Sequence, residues 1–469
     1  MRITDIISMA KLYLVLGLEV ALFLGVAFLI GYHVIYKKIC KGTKKVSIKR
    51  LLLYAIFTCY VVIVLGATML NRGSVWQGSI QLHLFYSYRE AWNSFSPTEW
   101  RNIVLNILMF VPFGFLLPFV SEHFKTFWKT YLAGFGFTLV IETLQLILEK
   151  GIFEVDDLFN NLLGAIIGYG CYRIFIFVYS FVQKKREKFL PVICYQIPLV
   201  LTVGTFVTIF FLYEKQEIGN LSSNYVYKLN NVAVNSDIEY STNEDKVAVY
   251  QLHVADENET REQAERIFAL FDSGIDDKRT DIYENTAIYY SDDENSKSLW
   301  IEYAGNIYRY TDFNELYGDN TPGPDVNASE EEIRNALEAM SVYIPEGVIF
   351  KNVGDGKYTF TAEQIFDGDK LYNGSITCNY TKNKTFSELG YSIIAFEEYK
   401  TFPIISEKEA FEQVQNGKFK YPHSGEIIVS VNDVNLEYEV DSKGFYQPVY
   451  VFDVNINDFD TAISVSAIR

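Results

Sequence analysis

Six long apolar runs in the first 213 residues are the feature that most limits how this chain folds. A helix that crosses the hydrocarbon core of a bilayer needs about 20 consecutive apolar residues. The runs therefore predict a polytopic α-helical membrane bundle of about six transmembrane helices over residues 1–213, in a lipid bilayer. They cover about Leu12–Tyr36, Leu51–Leu70, Asn102–Ser121, Thr130–Leu148, Leu158–Val182 and Phe189–Tyr213, with Pro191 and Pro198 interrupting the last.

The loops between these runs differ in charge. Seven Lys/Arg lie from Lys37 to Arg50, and the next alternate loops contain EHFKTFWK and QKKREK. Basic loops remain in the cytoplasm. We therefore expect the intervening loops, and everything after Tyr213, to lie outside the cell.

The rest of the chain has a different composition. Residues 1–213 carry 20 Lys+Arg against 11 Asp+Glu, whereas the remainder carries 21 against 47. An acidic domain repels phosphate, so we expect no nucleic-acid partner. The five cysteines are scattered and the five histidines lack ligand spacing, so the sequence predicts neither a disulfide framework nor a zinc site. We expect no cofactor.

After a polar linker at 214–246, residues 247–469 read as an acidic extracytoplasmic α+β domain. Three segments with the Ser/Thr-x-x-Glu/Gln signature of a helix capping box begin at Thr260, Ser329 and Ser406. Alternating strand-like runs follow each one, and DSKG at Asp441–Gly444 suits a hairpin turn. The pattern predicts two or three units of a helix with an antiparallel sheet.

One motif in this domain imitates a metal site. Asp453, Asn455 and Asn457 resemble the start of an EF-hand loop, but Asp458 replaces its glycine and Ser464 its bidentate glutamate. We interpret the segment as a strand and expect no metal there.

Polar residues inside the apolar runs are the candidate site. Glu142, Gln145, Asn106, Asp157 and Asn161 all fall within roughly 10 Å of the outer boundary of their spans. Ionisable groups at such positions are most often functional. Glu142 and Gln145 share a helix face, while Asp157, Asn161, Gly164 and Gly168 form one stripe whose small residues allow close helix approach. Asp156 and Asn160 should point elsewhere.

A structural interpretation competes with the functional one. Asn and Gln in bundles often serve only as interhelical hydrogen bonds of about 1 kcal/mol. We favour that interpretation for Asn102, Asn106 and Gln145 taken singly, and a functional one for Glu142. For Glu19, at a similar depth in the first run, the two are balanced. A bend is expected near Pro112, Gly114 and Pro118.

These residues also carry a family pattern. NILMFVPFGFLLP from Asn106, IETLQ from Ile141 and VDDLFNNLLGAIIGY from Val155 resemble the VanZ-like membrane domain over about residues 51–182, and LHLFYSYREAW resembles its lead-in. The resemblance implies the cell envelope of a Gram-positive bacterium and a link to teicoplanin resistance. Members often have an arginine before the acidic pair, which Arg89 or Arg101 would have to replace here. The positions carried over are Asn106, Pro112, Gly114, Glu142, Gln145, Asp157, Asn161 and Gly164. From Ser406 onward the chain weakly resembles PepSY-like or YycI-like modules.

Three functions remain open. An outward-facing polar pocket would bind the headgroup of a lipid-linked wall precursor, or affect glycopeptide susceptibility, with Arg89 or Arg101 meeting phosphate. An outer-leaflet enzyme would use Glu142 as catalytic general base, although no complete catalytic constellation is visible. A membrane sensor would bind a ligand or an envelope protein through its acidic domain.

Overall fold

The computed structural model describes residues 3–30, 32, 38–39, 47–70, 80–185, 188–283, 285–293, 297–318, 321, 323–421 and 425–469. The chain divides into two compact units, Met1–Glu217 and Ile218–Arg469. Most of the first basic loop, and part of QKKREK, lie outside the described residues.

The first unit is helical. Within the described part, six helical segments are long and apolar enough to cross a membrane, which confirms the predicted bundle. The break expected in the sixth span falls at Tyr195–Gln196. The elements are α1 Ile3–Ile30, α2 Ile48–Leu65 with a π-helical turn Gly66–Leu70, β1 Ile80–Gln81, α3 Tyr86–Ser94, α4 Pro97–Val120, a 3₁₀ turn Glu122–Lys125, α5 Phe127–Ile147, β2 Phe153–Glu154, α6 Val155–Val182, α7 Phe189–Cys194 and α8 Ile197–Glu214.

Helices α4 and α6 are packed almost backbone to backbone. A Cβ atom added at Gly164 would lie 2.0 Å from the Ile107 carbonyl oxygen, and one at Gly168 would lie 2.0 Å from that of Val111. Gly114 of α4 meets the Ala165 carbonyl in the same way. Only glycine permits this spacing, so the small residues fix the α4–α6 contact. Helix α4 continues through Pro112 and Pro118.

One end of this bundle carries an additional short helix. Strands β1 and β2 pair in parallel, which brings the segment before α3 beside the start of α6. The C-terminal end of α8 lies at the same end, because Tyr213 stacks on Phe95, which ends α3. The starts of α3, α4 and α6 and the ends of α5 and α8 therefore share this end of the bundle, here called the α6-start end.

The second unit contains one large sheet. Its fourteen strands run in the order β3-β14-β15-β4-β13-β11-β12-β8-β7-β6-β5, with β10 pairing β11 and β9, and β16 pairing β15. All pairs are antiparallel except β3–β14. The elements are β3 Val232–Ser236, β4 Lys246–Leu252, α9 Glu257–Ala269, β5 Asp281–Ile282, β6 Thr286–Tyr290, β7 Lys297–Glu302, β8 Ile307–Asp312, α10 Phe313–Tyr317, α11 Glu330–Ala339, β9 Ile349–Gly354, β10 Lys357–Asp367, β11 Lys370–Tyr380, β12 Phe386–Tyr391, β13 Ile394–Pro403, α12 Glu407–Gln415, β14 Ile427–Val440, β15 Phe445–Ile456 and β16 Phe459–Ser466.

Two main cores form on this sheet. Helices α9 and α11 bury residues such as Phe268 and Leu337 against the strands from β6 to β12. Helix α12 buries Phe411 and Val414 against β14, β15 and β16. A membrane bundle followed by an α+β domain is therefore confirmed, with helix-and-sheet layers sharing one continuous sheet.

Two local features differ from the sequence prediction. The segment 214–246 is largely part of the second unit, because β3 pairs with β14 and the Gly219 N–H donates to the buried Asp441 carboxylate. The first capping box uses Asp256 and Glu259, so α9 begins before Thr260, whose hydroxyl is buried against Tyr289. The boxes at Ser329 and Ser406 are present as predicted, and Asp441–Gly444 joins β14 to β15 as a hairpin turn.

Candidate functional site at the α6-start end

Polar side chains from three helices meet at the α6-start end. The Asn106 amide of α4 donates to the Asp157 carboxylate of α6. The Asn161 amide, one turn deeper in α6, donates to Thr138 Oγ1 of α5 at 2.9 Å. The stripe formed by Asp157 and Asn161 therefore contacts both neighbouring helices.

The other two predicted residues, Glu142 and Gln145, lie on α5 about one and two helical turns after Thr138. Glu142 is 2% exposed and Gln145 is 1% exposed. The Gln145 amide donates to the Thr68 carbonyl at 2.9 Å, which ties the end of α5 to the π-helical turn after α2. The Glu154 N–H lies 3.5 Å from Glu142 Oε2, so the carboxylate faces the loop that leads into α6. We call Asn106, Glu142, Gln145, Asp157 and Asn161 the polar cluster.

Two acceptor atoms in the polar cluster are buried without a hydrogen-bond partner among the described residues. They are Gln145 Oε1 and Asn161 Oδ1. A buried polar atom left unpaired costs about 1–3 kcal/mol. Each amide donates to the protein through its nitrogen and keeps its oxygen available for a donor.

The structure adds two residues that the sequence pattern did not assign to the site. Asp156 is 1% exposed and accepts the backbone N–H groups of Phe85 at 2.5 Å and Ser87 at 2.7 Å, which are the first donors of α3. The buried Asn160 accepts the Tyr88 hydroxyl at 2.6 Å. Asp156 and Asn160 thus hold α3 on α6. The only sequence signal for them was that they point away from the Asp157 stripe.

The basic candidates lie at the same end of the bundle as the polar cluster. Arg89 is exposed on α3, and Arg101 lies near the start of α4 with Nη2 donating to Thr98 Oγ1 at 3.3 Å. Glu19 is exposed on α1, which packs on α2. It is therefore not part of the polar cluster.

Hydrogen bonding is the chemistry that this arrangement supports. The described part of the chain holds no group of three or more His, Cys, Asp or Glu residues placed to bind a metal ion. The polar cluster offers two carboxylates and two free amide oxygens, all hydrogen-bond acceptors. Such a set suits a ligand rich in N–H and O–H donors.

The helices that carry the polar cluster are similar to a known protein family. The model of the VanZ/LLP1 family matches residues 51–177. The segment from α2 to α6 is VanZ-like. This confirms the family resemblance inferred from Asn106–Pro118, Ile141–Gln145 and Val155–Tyr169. All five residues of the polar cluster fall within the VanZ-like segment, whereas α1, α8 and the second unit lie beyond it. No curated protein matches the chain.

Solved structures resemble about half of the chain at low similarity. An uncharacterized protein from Eubacterium rectale is 14% identical, covers 50% of this chain and 88% of its own, and has a TM-score of 0.28. The C-terminal domain of YpeB from Bacillus megaterium is 15% identical, covers 46% and 94%, and has a TM-score of 0.22.

Proposed function

We propose that the VanZ-like bundle binds the polar headgroup of a lipid-linked cell-wall precursor at the outer membrane face, and through this affects glycopeptide susceptibility. The observation that carries the proposal is a pair of buried oxygens, Gln145 Oε1 and Asn161 Oδ1, that have no hydrogen-bond partner in the part of the chain that the structure describes. Sugar hydroxyls and peptide amides are donors that would satisfy them.

The charge of the polar cluster supports this assignment of contacts. Glu142 and Asp157 disfavour an anionic group next to them, so the sugar or peptide part of the headgroup would occupy the cluster. The phosphate would lie toward Arg89 and Arg101, which are at the same end, because guanidinium groups pair well with phosphate oxygens.

The outward orientation is part of the proposal. Basic loops favour the opposite end of the bundle as the cytoplasmic side. Glu214 ends α8 at the α6-start end, so the chain enters the acidic second unit from the side on which the polar cluster lies. We therefore assign both the polar cluster and the acidic unit to the extracytoplasmic side.

Substitution of hydrogen-bonding side chains in the polar cluster tests the proposal. We expect Asn161→Leu and Glu142→Gln to change teicoplanin susceptibility at least fourfold relative to wild type, with unchanged membrane abundance. Thr143→Val is the matched control, because Thr143 lies on α5 beside Glu142 but is exposed, and its hydroxyl bonds within the helix to Leu139. Wild-type susceptibility in both cluster variants would reject a binding role.

Photocrosslinking identifies the ligand directly. A crosslinking residue at position 161 should capture a polyprenyl-linked saccharide in living cells, whereas one at position 143 should capture bulk phospholipid. Capture of phospholipid alone at both positions would contradict the proposal, even if susceptibility changed.

A further inference from the structure

Helices α1 and α2 enclose an apolar groove, and all of its lining among the described residues comes from these two helices. The helices touch near Gly17, where an added Cβ would lie 2.9 Å from the Cys59 Cα. Farther along α1, an added Cβ at Gly25 would meet nothing within 4 Å. The groove lies between this contact and the ends of the two helices at Leu29 and Ile48. The resulting groove has a volume of about 580 Å³.

The length of the groove matches one leaflet of a bilayer. Its lining runs from Leu18 to Leu29 on α1 and from Ile48 to Thr58 on α2. At ~1.5 Å per residue these stretches measure roughly 15–17 Å. Half of a bilayer hydrocarbon core is about 15 Å. An acyl chain of a lipid in that leaflet would fit along the groove.

Two basic residues flank the Ile48 end of the groove. Lys49 and Arg50 are exposed in the first turn of α2, beside Ile48 of the lining. Basic residues at the membrane surface attract anionic headgroups. The groove thus combines an apolar slot of one leaflet's depth with positive charge at its mouth.

We propose that this groove holds an acyl chain of an anionic phospholipid, whose phosphate pairs with Lys49 and Arg50. The site is separate from the polar cluster, because the cluster meets the far end of α2 through Thr68. It also does not depend on the function proposed for the cluster.

Native mass spectrometry of the full chain in mild detergent tests the proposal, with dioleoyl phosphatidylglycerol and dioleoyl phosphatidylcholine supplied in equal amounts. Wild-type protein should retain one phosphatidylglycerol in preference to phosphatidylcholine. Gly25→Leu should reduce this retention at least tenfold, because the new side chain enters the groove. Gly204→Leu is the control, since Gly204 faces open space on α8.

A second variant separates the headgroup from the acyl chain. The double variant Lys49→Gln, Arg50→Gln should lower the preference for phosphatidylglycerol over phosphatidylcholine roughly tenfold while phosphatidylcholine still binds. Equal retention in wild type and Gly25→Leu would overturn the proposal. So would a lipid-free dimer that Gly25→Leu converts to monomer, since the groove would then serve self-association.

Discussion

At the scale of single residues, buried polar groups in the bundle divide into those that the protein satisfies and those that it leaves available. Asp156 is fully engaged by two backbone donors of α3, whereas the Gln145 and Asn161 oxygens lack partners among the described residues. The first arrangement stabilises a docked helix. The second is the physical basis of the proposed ligand site.

Loss of the Asp156 charge should release α3. Hydrogen bonds to a charged group contribute about 1.5–3 kcal/mol, so Asp156→Asn should raise amide hydrogen exchange in residues 86–94 roughly 10- to 100-fold. Asp157→Asn is the control, because that neighbouring carboxylate contacts Asn106 on α4. Equal exchange in Asp156→Asn and wild type would show that α3 is held by its apolar contacts.

Cys378 should be an inert thiol. It lies in β11 and is 3% exposed, and burial raises the pKa of its thiol to about 12. A variant with Cys378 as its single cysteine should therefore react with Ellman's reagent at pH 8 only after unfolding. The pKa of the Cys378 thiol is higher in the folded protein than in the unfolded one. The buried, protonated thiol therefore stabilises the fold fully below about pH 9, and this stabilisation is lost as the pH rises toward 12. A native thiol that reacts as fast as the unfolded one would contradict this buried position.

The sequence predicted the polar cluster because its residues lie within regular helices. Helical spacing placed Glu142 with Gln145 and Asp157 with Asn161, and their depth placed them at one end. It did not predict what covers Asp156 and Asn160. The contact with α3 depends on the left-handed backbone of Phe85, whose N–H donates to the Asp156 carboxylate 71 residues later. No local sequence pattern encodes such a contact.

At the scale of elements, the α4–α6 pair is the tightest contact of the bundle. Gly164→Ala places a methyl group 2.0 Å from the Ile107 carbonyl oxygen, and the helices must separate to admit it. Overpacking of this kind costs about 1–3 kcal/mol, so the variant should unfold at lower SDS concentration than wild type. Gly204→Ala should not, because nothing lies within 4 Å of its Cβ. Equal unfolding of the two variants would mean that the α4–α6 spacing is looser than described.

Element boundaries show a second limit of sequence reasoning. Asp256-x-x-Glu259 and Thr260-x-x-Gln263 both fit the capping-box pattern, and α9 uses the earlier one. The hydroxyl of Thr260 is instead buried against Tyr289 on β6. Tertiary packing thus selects between two local signals of similar strength. The parallel β3–β14 pair, which joins residues almost 200 positions apart, likewise has no local signal.

At the scale of the whole molecule, the boundary at Glu217/Ile218 separates an apolar bundle from an acidic domain with its own cores. The β3 strand and Gly219 belong to the second unit, so a cut at residue 246 would remove a strand and the Asp441 contact. A cut after Glu217 preserves both units, which makes it the informative truncation.

Residues 218–469 should fold when expressed alone, since the sheet and both main cores lie within them. We expect a soluble fragment with one cooperative thermal transition, whereas a fragment of residues 247–469 should melt at a lower temperature or aggregate.

The complementary fragment 1–217 should retain the teicoplanin phenotype if the polar cluster acts by itself, because that cluster is built from α4, α5 and α6 alone. Loss of the phenotype in fragment 1–217 at normal membrane abundance would instead assign the response to the acidic unit and favour a sensor. An unfolded 218–469 fragment would mean that the acidic unit needs the bundle to fold.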